Sequence, residues 1–235
     1  MPHRVNGMKK TILLLLILSL SLLSLPVSVR AEADDPVSRM TFFGESTTAH
    51  LALRGGIPPA HVLSNASGTM KLDSGILSRT LTDPVTHTSA TVSETIAEKQ
   101  PEMLVLSFGL NGIMTFSEHP EIYLRNYRKL IDAVQKASPG TRILIQSVYP
   151  VADLAHQSDW RFSDSPAGIN RRLTELNRQL REFCDADPSL SYLNTAAGLY
   201  DAEGFLRADY TTDGIHLTEA AYREVLRILR ESVNA

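Results

Sequence analysis

From residue 39 onward, two periodicities of apolar residues alternate along the chain. Short runs at 39–43, 61–64, 103–108, 142–148 and 191–193 have the length and composition of strands. The run 103–108, Met-Leu-Val-Leu-Ser-Phe, is apolar almost throughout. That is the pattern of a strand covered on both faces, and 143–145 repeats it. Between these runs the apolar residues recur at helical spacing. Thr91 and Glu94 stand at capping-box distance ahead of Ile96 and Ala97, and Pro101 stops that helix. Over 121–137, Tyr123, Tyr127, Leu130, Ile131 and Val134 share one face, and Pro139-Gly140 ends it. A third helix carries Ile169, Leu173, Leu176, Leu180 and Phe183 opposite arginines and Glu175, and a last one carries Tyr222, Val225, Leu226 and Leu229 after a candidate N-cap at Thr218. These stripes read as core faces. Strands separated by helices predict right-handed β-α-β crossovers and an α/β fold, a three-layer α/β/α sandwich around a mainly parallel sheet of about five strands. The least regular stretches, 65–90 and 149–166, each follow a strand. They should hang over the carboxyl edge of the sheet, where open α/β folds form their crevices.

The N-terminal pattern is different. Lys9 and Lys10 precede residues 12–25, of which eleven are Leu or Ile and the rest Ser. A membrane span needs roughly 20 apolar residues. This shorter run, followed by the small-x-small triplets ending at Ala31 and Ala33, predicts an export signal. The expected organisation is a signal peptide over 1–31, a flexible acidic end over 32–38 and one domain over 39–235. The chain is then exported and has no stable membrane partner. If the signal is not cleaved, residues 11–29 would anchor it instead.

Charge changes once this segment is set aside. The whole chain is formally −3, but the first 31 residues hold four basic groups (Arg4, Lys9, Lys10, Arg30) and no acid, so the remainder carries 19 basic against 26 acidic residues, net −7. An acidic chain without a basic run has no electrostatic footprint for nucleic acid. The single cysteine, Cys184, permits no internal disulfide and falls among Leu176, Leu180 and Phe183 as a small buried hydrophobe. His50, His61, His87, His119 and His156 are scattered singly, so no metal is expected. No cofactor is expected either.

Three constellations carry candidate chemistry. In Gly44-Glu45-Ser46 an apolar strand runs through glycine to a serine at the start of a helix. There its hydroxyl lies at the carboxyl edge of the sheet and its N–H among the unpaired donors of the helix terminus, which suits a nucleophile whose own N–H helps hold an oxyanion. The same serine could simply cap the helix. In Asp213-Gly214-Ile215-His216, an acid three residues before a histidine can orient one imidazole nitrogen and leave the other for a serine; a surface turn is the alternative. In Gly109-Leu110-Asn111-Gly112 the most apolar strand ends at an amide that can donate to a developing oxyanion, although Asn-Gly is also an ordinary turn. Trp160, Arg161 and Phe162, on the loop after the fourth strand, could line a substrate cleft, with packing as the alternative for Trp160.

Together, in this order, the three constellations resemble the SGNH hydrolases, also called GDSL esterases and lipases, over essentially all of 39–235. The resemblance implies a flavodoxin-like fold, with Ser46 as nucleophile, His216 as general base and then acid, and Asp213 orienting His216. It implies an oxyanion hole of the Ser46 N–H, Asn111 and the N–H of a glycine after the second strand, for which Gly68 is the candidate and Gly75 the fallback. Gly44, Glu45 and Gly109 are supporting residues. Two departures stand out. The usual Gly-Asp-Ser is Gly44-Glu45-Ser46, an arm one methylene longer whose loop contacts must be rebuilt. The usual Asn-Asp is Asn111-Gly112, so an acid that would help fix that loop is missing. The implied activity is ester hydrolysis through an acyl-enzyme, rising with pH as the histidine loses its proton. The implied partner is a small ester or an acylated carbohydrate. Lysophospholipid or lipid hydrolysis, sugar O-acyl transfer and a non-catalytic binding role remain as alternatives.

Overall fold

The computed structural model describes residues 35–65, 67–154 and 160–234. The expected signal over 1–31, both of its cleavage points and His156 lie outside the described residues. Residues 36–39, partly assigned to a flexible end, form a turn of 3-10 helix, with the Ser38 N–H on the Asp35 carbonyl at 3.0 Å. The compact unit that carries the site is Arg39–Ala235.

Its centre is a five-stranded sheet of β1 (Met40–Gly44), β2 (Val62–Leu63), β5 (Met103–Ser107), β6 (Arg142–Gln146) and β7 (Leu190–Leu193), in the order β2-β1-β5-β6-β7 with every pairing parallel. The fold class and the five strands are those the sequence predicts. Leu104, Val105 and Leu106 are fully buried, as a strand covered on both faces requires. The helices are α1 (Ser46–Arg54), α2 (Val92–Lys99), α3 (Ile113–Glu118), α4 (Pro120–Ala137), α5 (Pro166–Asp185) and α6 (Glu219–Asn234). The capping box at Thr91 and Glu94 is formed in both directions. Tyr123, Tyr127, Leu130, Ile131 and Val134 bury one face of α4, and Ile169, Leu173, Leu176, Leu180 and Cys184 bury one face of α5.

Three elements escape the sequence pattern. Thr80–Thr82 (β3) and Ser89–Thr91 (β4) pair as an antiparallel hairpin inside the stretch read as irregular, and α3 is a turn and a half of helix buried through Ile113 and Phe116. Thr218 directly precedes α6; its carbonyl accepts the Tyr222 N–H at 3.0 Å, and its hydroxyl reaches the Asp209 carbonyl at 3.4 Å. Among the described residues, no helix is long and apolar enough to cross a membrane.

The strand order decides where a site can form. From β1 the chain moves outward to β2 and then returns to the other side of β1 as β5. Loops leaving β1 and β5 therefore part from one another and leave a crevice at their carboxyl ends. Ser46 follows β1 and Asn111 follows β5.

Candidate active site

Ser46 is the first residue of α1, and Glu45 occupies the N-cap without making a side-chain cap bond. The serine is thus not the cap itself. At the first helical position its N–H has no intrahelical acceptor, and none takes it among the described residues. Its hydroxyl lies 3.1 Å from Nε2 of His216, across the crevice. Nδ1 of the same ring lies 2.6 Å from Oδ2 of Asp213.

The loop holding Asp213 and His216 is braced from within. The other carboxylate oxygen, Oδ1, accepts the N–H groups of Ile215 at 2.9 Å and His216 at 2.7 Å. The buried Thr211 hydroxyl donates to the His216 carbonyl at 2.9 Å and accepts the Gly214 N–H at 3.0 Å. Outside the loop, the Ala152 N–H holds the Gly214 carbonyl at 2.9 Å, and the Tyr222 hydroxyl ties α6 to the Thr47 carbonyl at 2.7 Å. Burial alone would raise the Asp213 carboxyl, but its bonds to the imidazole and to the two backbone N–H groups outweigh this and hold it at about 2. It is therefore an anion whose orientation the backbone fixes.

The other wall is the loop after β5, and Glu45 is its anchor. The buried carboxylate accepts the Gly109 N–H at 2.8 Å on one oxygen and the Asn111 N–H at 2.9 Å on the other. The contact that the longer arm has to rebuild is made in this way. Complete burial pushes the Glu45 carboxyl up to about 7, against the opposing pull of the backbone N–H groups and of Lys71. Beneath the loop, the Phe108 carbonyl accepts the hydroxyls of Tyr123 at 2.5 Å and Tyr127 at 3.3 Å. Both tyrosines are fully buried, where a phenol must find a partner. Gly109, at φ +152°, leaves no room for a Cβ, which would stand 2.6 Å from the Val148 methyl and 2.9 Å from the Tyr123 oxygen.

Gly68 lies against Ser46: at φ +64°, a Cβ there would come within 2.7 Å of the Ser46 Cβ. Its N–H, the candidate third oxyanion donor, is held by the Asn65 carbonyl at 3.0 Å. The Asn111 amide donates to the carbonyls of Met70 at 3.0 Å and Gly68 at 3.2 Å, which knits the two loops together. Gly75 is in a separate turn, its N–H on Asp73 at 2.9 Å, and does not line this crevice.

The crevice opens into a cavity of about 570 Å³ lined by Ser46, Gly68, Asn111 and His216, among others. Arg161 and Phe162 line it, but Trp160 does not: its ring packs edge-on against Phe162 at 5.1 Å and its Nε1 donates to the Asp164 carbonyl at 3.0 Å. The packing alternative holds for that residue. Three contributors were not assigned a place in the site from the sequence. His50, one helical turn beyond Ser46, sets its ring 4.9 Å from the His216 ring and tilted 55° to it, and burial, followed by the influence of His216, lowers its pKa. Lys71 enters from the loop before the hairpin. Thr211 is the third, and its only sequence signal is a hydroxyl two residues before the Asp213-to-His216 turn. No three His, Cys, Asp or Glu side chains converge on a possible metal position among the described residues.

Comparisons with known proteins agree with this architecture. Among solved structures, the chain is similar to a protein from Streptococcus pneumonia assigned provisionally as a platelet activating factor (TM-score 0.59, 20% identity, 92% of this chain and 99% of that one). It is also similar to an acetyl xylan esterase (TM-score 0.53, 17%, 83% and 98%) and to a GDSL-like lipase from Bacteroides thetaiotaomicron (TM-score 0.51, 15%, 91% and 93%). At these identities the likeness is one of fold. No curated protein matches the chain in sequence. The profile of the GDSL-like lipase/acylhydrolase family matches residues 42–224, a span that includes the serine, the loop after β5 and the Asp213-to-His216 turn, and the chain therefore belongs to that family of SGNH hydrolases.

Proposed function

We propose that this chain is an exported serine esterase that cleaves small acyl esters, acetyl esters of carbohydrates included, through a covalent intermediate on Ser46. The observation that carries the reading is the continuous line from the Ser46 hydroxyl through both imidazole nitrogens to Asp213, with spacings of 3.1 and 2.6 Å. His216 takes the serine proton as Oγ bonds to the ester carbonyl carbon. The carbonyl oxygen becomes an oxyanion, for which the Ser46 N–H stands ready. Asn111 joins it by exchanging its longer bond, to the Gly68 carbonyl, for one to the oxyanion; such tightening on substrate binding is common in sites of this kind. The bond to the alcohol oxygen then breaks, and the alcohol leaves with the proton from His216. Water repeats the sequence on the acyl-enzyme and releases the acid. Asp213 keeps Nδ1 protonated throughout.

The carbohydrate reading draws on the shared fold with an acetyl xylan esterase, and the export reading on the basic and apolar residues of 9–25. The test compares release of nitrophenol from a short-chain 4-nitrophenyl ester by the chain and by Ser46→Ala, together with labelling by a fluorophosphonate. Hydrolysis and labelling that both depend on Ser46 are expected; equal rates in the two proteins overturn the assignment.

A further inference from the structure

The charge lining the cavity is opposite to the charge of the chain. Residues 32–235 carry net −7, yet among the described residues the cavity at Ser46 is lined by two cations, Lys71 and Arg161, and by no aspartate or glutamate. The two carboxylates of the site are already engaged, Asp213 with His216 and Glu45 with the N–H groups of Gly109 and Asn111. Neither Lys71 nor Arg161 forms an ion pair among the described residues, although eight of the other lysines and arginines there do.

Packing, rather than an ion pair, holds Lys71. Its Cε fills the space that a side chain at Gly112 would take, since a Cβ there would lie 2.7 Å from it, and its ammonium sits 5.7 Å from the centre of the Phe116 ring. The stem is thus fixed by an apolar wall and the charge is left over. Arg161 lines the same cavity beside Phe162, from the loop that follows β6. Two cations in one concave space, neither in an ion pair among the described residues, raise the local concentration of anions and bind them against water.

We propose that the ester processed at Ser46 carries an anionic group, a carboxylate or a phosphate, that Lys71 and Arg161 hold while the ester carbonyl lies at the nucleophile. This rests on the serine-esterase reading and specifies its substrate class. A carboxylate and a phosphate make the same demand on the two cations, so two pairs of matched probes separate them. One pair is 4-nitrophenyl hydrogen glutarate against the uncharged 4-nitrophenyl glutaramate. The other is 2-acetoxyethyl phosphate against its dimethyl ester. In at least one pair the anionic member is expected to have a kcat/KM roughly tenfold higher at low salt, mainly through KM, with the advantage shrinking as salt is added. Lys71→Met and Arg161→Met should each reduce that ratio, the double variant should bring it near one, and Lys71→Arg should restore part of it. Arg161 is exposed, so its variant keeps the test open if Lys71→Met fails to fold. No preference in either pair, or a preference untouched by both substitutions, overturns the proposal. Calorimetric binding of the same four compounds to Ser46→Ala reads the cations without turnover. If no ester is hydrolysed, the catalytic reading falls, while tighter binding of an anionic probe, lost with Lys71 and Arg161, still upholds their role.

Discussion

Asp213 and Glu45 each accept two backbone N–H groups at 2.7–2.9 Å, yet the first is held at about 2 and the second is pushed up to about 7. The hydrogen bonds from the backbone are nearly the same, so they do not decide the outcome. What differs is the surroundings: Asp213 retains access to solvent and has an imidazole at 2.6 Å, whereas Glu45 is sealed beneath the loop after β5 with no ion pair among the described residues. One carboxylate stays charged beside the imidazole of His216. The other works as a clasp, where its geometry matters more than its charge. One crevice thus holds two acids in different states, set by burial.

Replacing the charge at Asp213 should separate the two most sharply. Asp213→Asn keeps the side-chain shape but favours the wrong imidazole tautomer, so kcat for the chromogenic ester should fall by about ten-thousandfold. A fall of less than tenfold would place Asp213 outside the proton relay and remove the contrast with Glu45.

The clasp should show itself next, in stability. A folded carboxyl at about 7 against an ordinary 4.5 means that the folded state binds the extra proton between those values. The associated stability is complete below pH 4.5 and is lost as pH rises toward and through 7, by up to about 3 kcal/mol. Urea unfolding at a series of pH values should reveal this slope in the parent chain, and Glu45→Gln should flatten it. Asp213 acts in the opposite sense: its contribution is present above pH 4 and is lost as pH falls through about 2. A parent and a Glu45→Gln chain with parallel pH curves would show that the two carboxylates are not differently set.

The smallest effect is expected at Thr211. Thr211→Val leaves the Gly214 N–H and the His216 carbonyl without their partner and should cost about 2 kcal/mol of stability. Activity should fall far less than in Asp213→Asn, because Asp213 still holds the ring. Equal losses in the two variants would mean that loop order, not carboxylate charge, is what His216 requires.

The elements that place these groups were legible where a residue pattern repeats over several turns or spans a whole strand. The continuous apolarity of 103–108 and the stripes on α4 and α5 are demanded by burial on known faces, so periodicity finds them. The β3–β4 hairpin was hidden because its strands are three residues each and largely polar, too short for alternation to register. Ser46, Asp213 and His216 were visible because local geometry carries them: a strand-to-helix junction and an acid-to-histidine turn. Glu45 was noticed as a departure, but its role in the clasp required the fold to bring β1 beside β5. Tyr123 and Tyr127 looked like core alone; that they are tyrosines at fully buried positions, and not phenylalanines, was the available sign that their hydroxyls had work at Phe108. Lys71 left no sign, because its neighbour Gly112 is distant in sequence.

That last pairing makes the two positions epistatic. Residue 71 and residue 112 draw on one volume, filled by the lysine stem because glycine leaves it empty. An aspartate placed at 112 alone would meet the Lys71 stem and the Phe116 ring. Shortening residue 71 alone would open a void and remove a charge. Made together, the two changes should cost less than their separate costs combined, a coupling expected for residues in contact. Neither position can therefore be read, or redesigned, as an independent site.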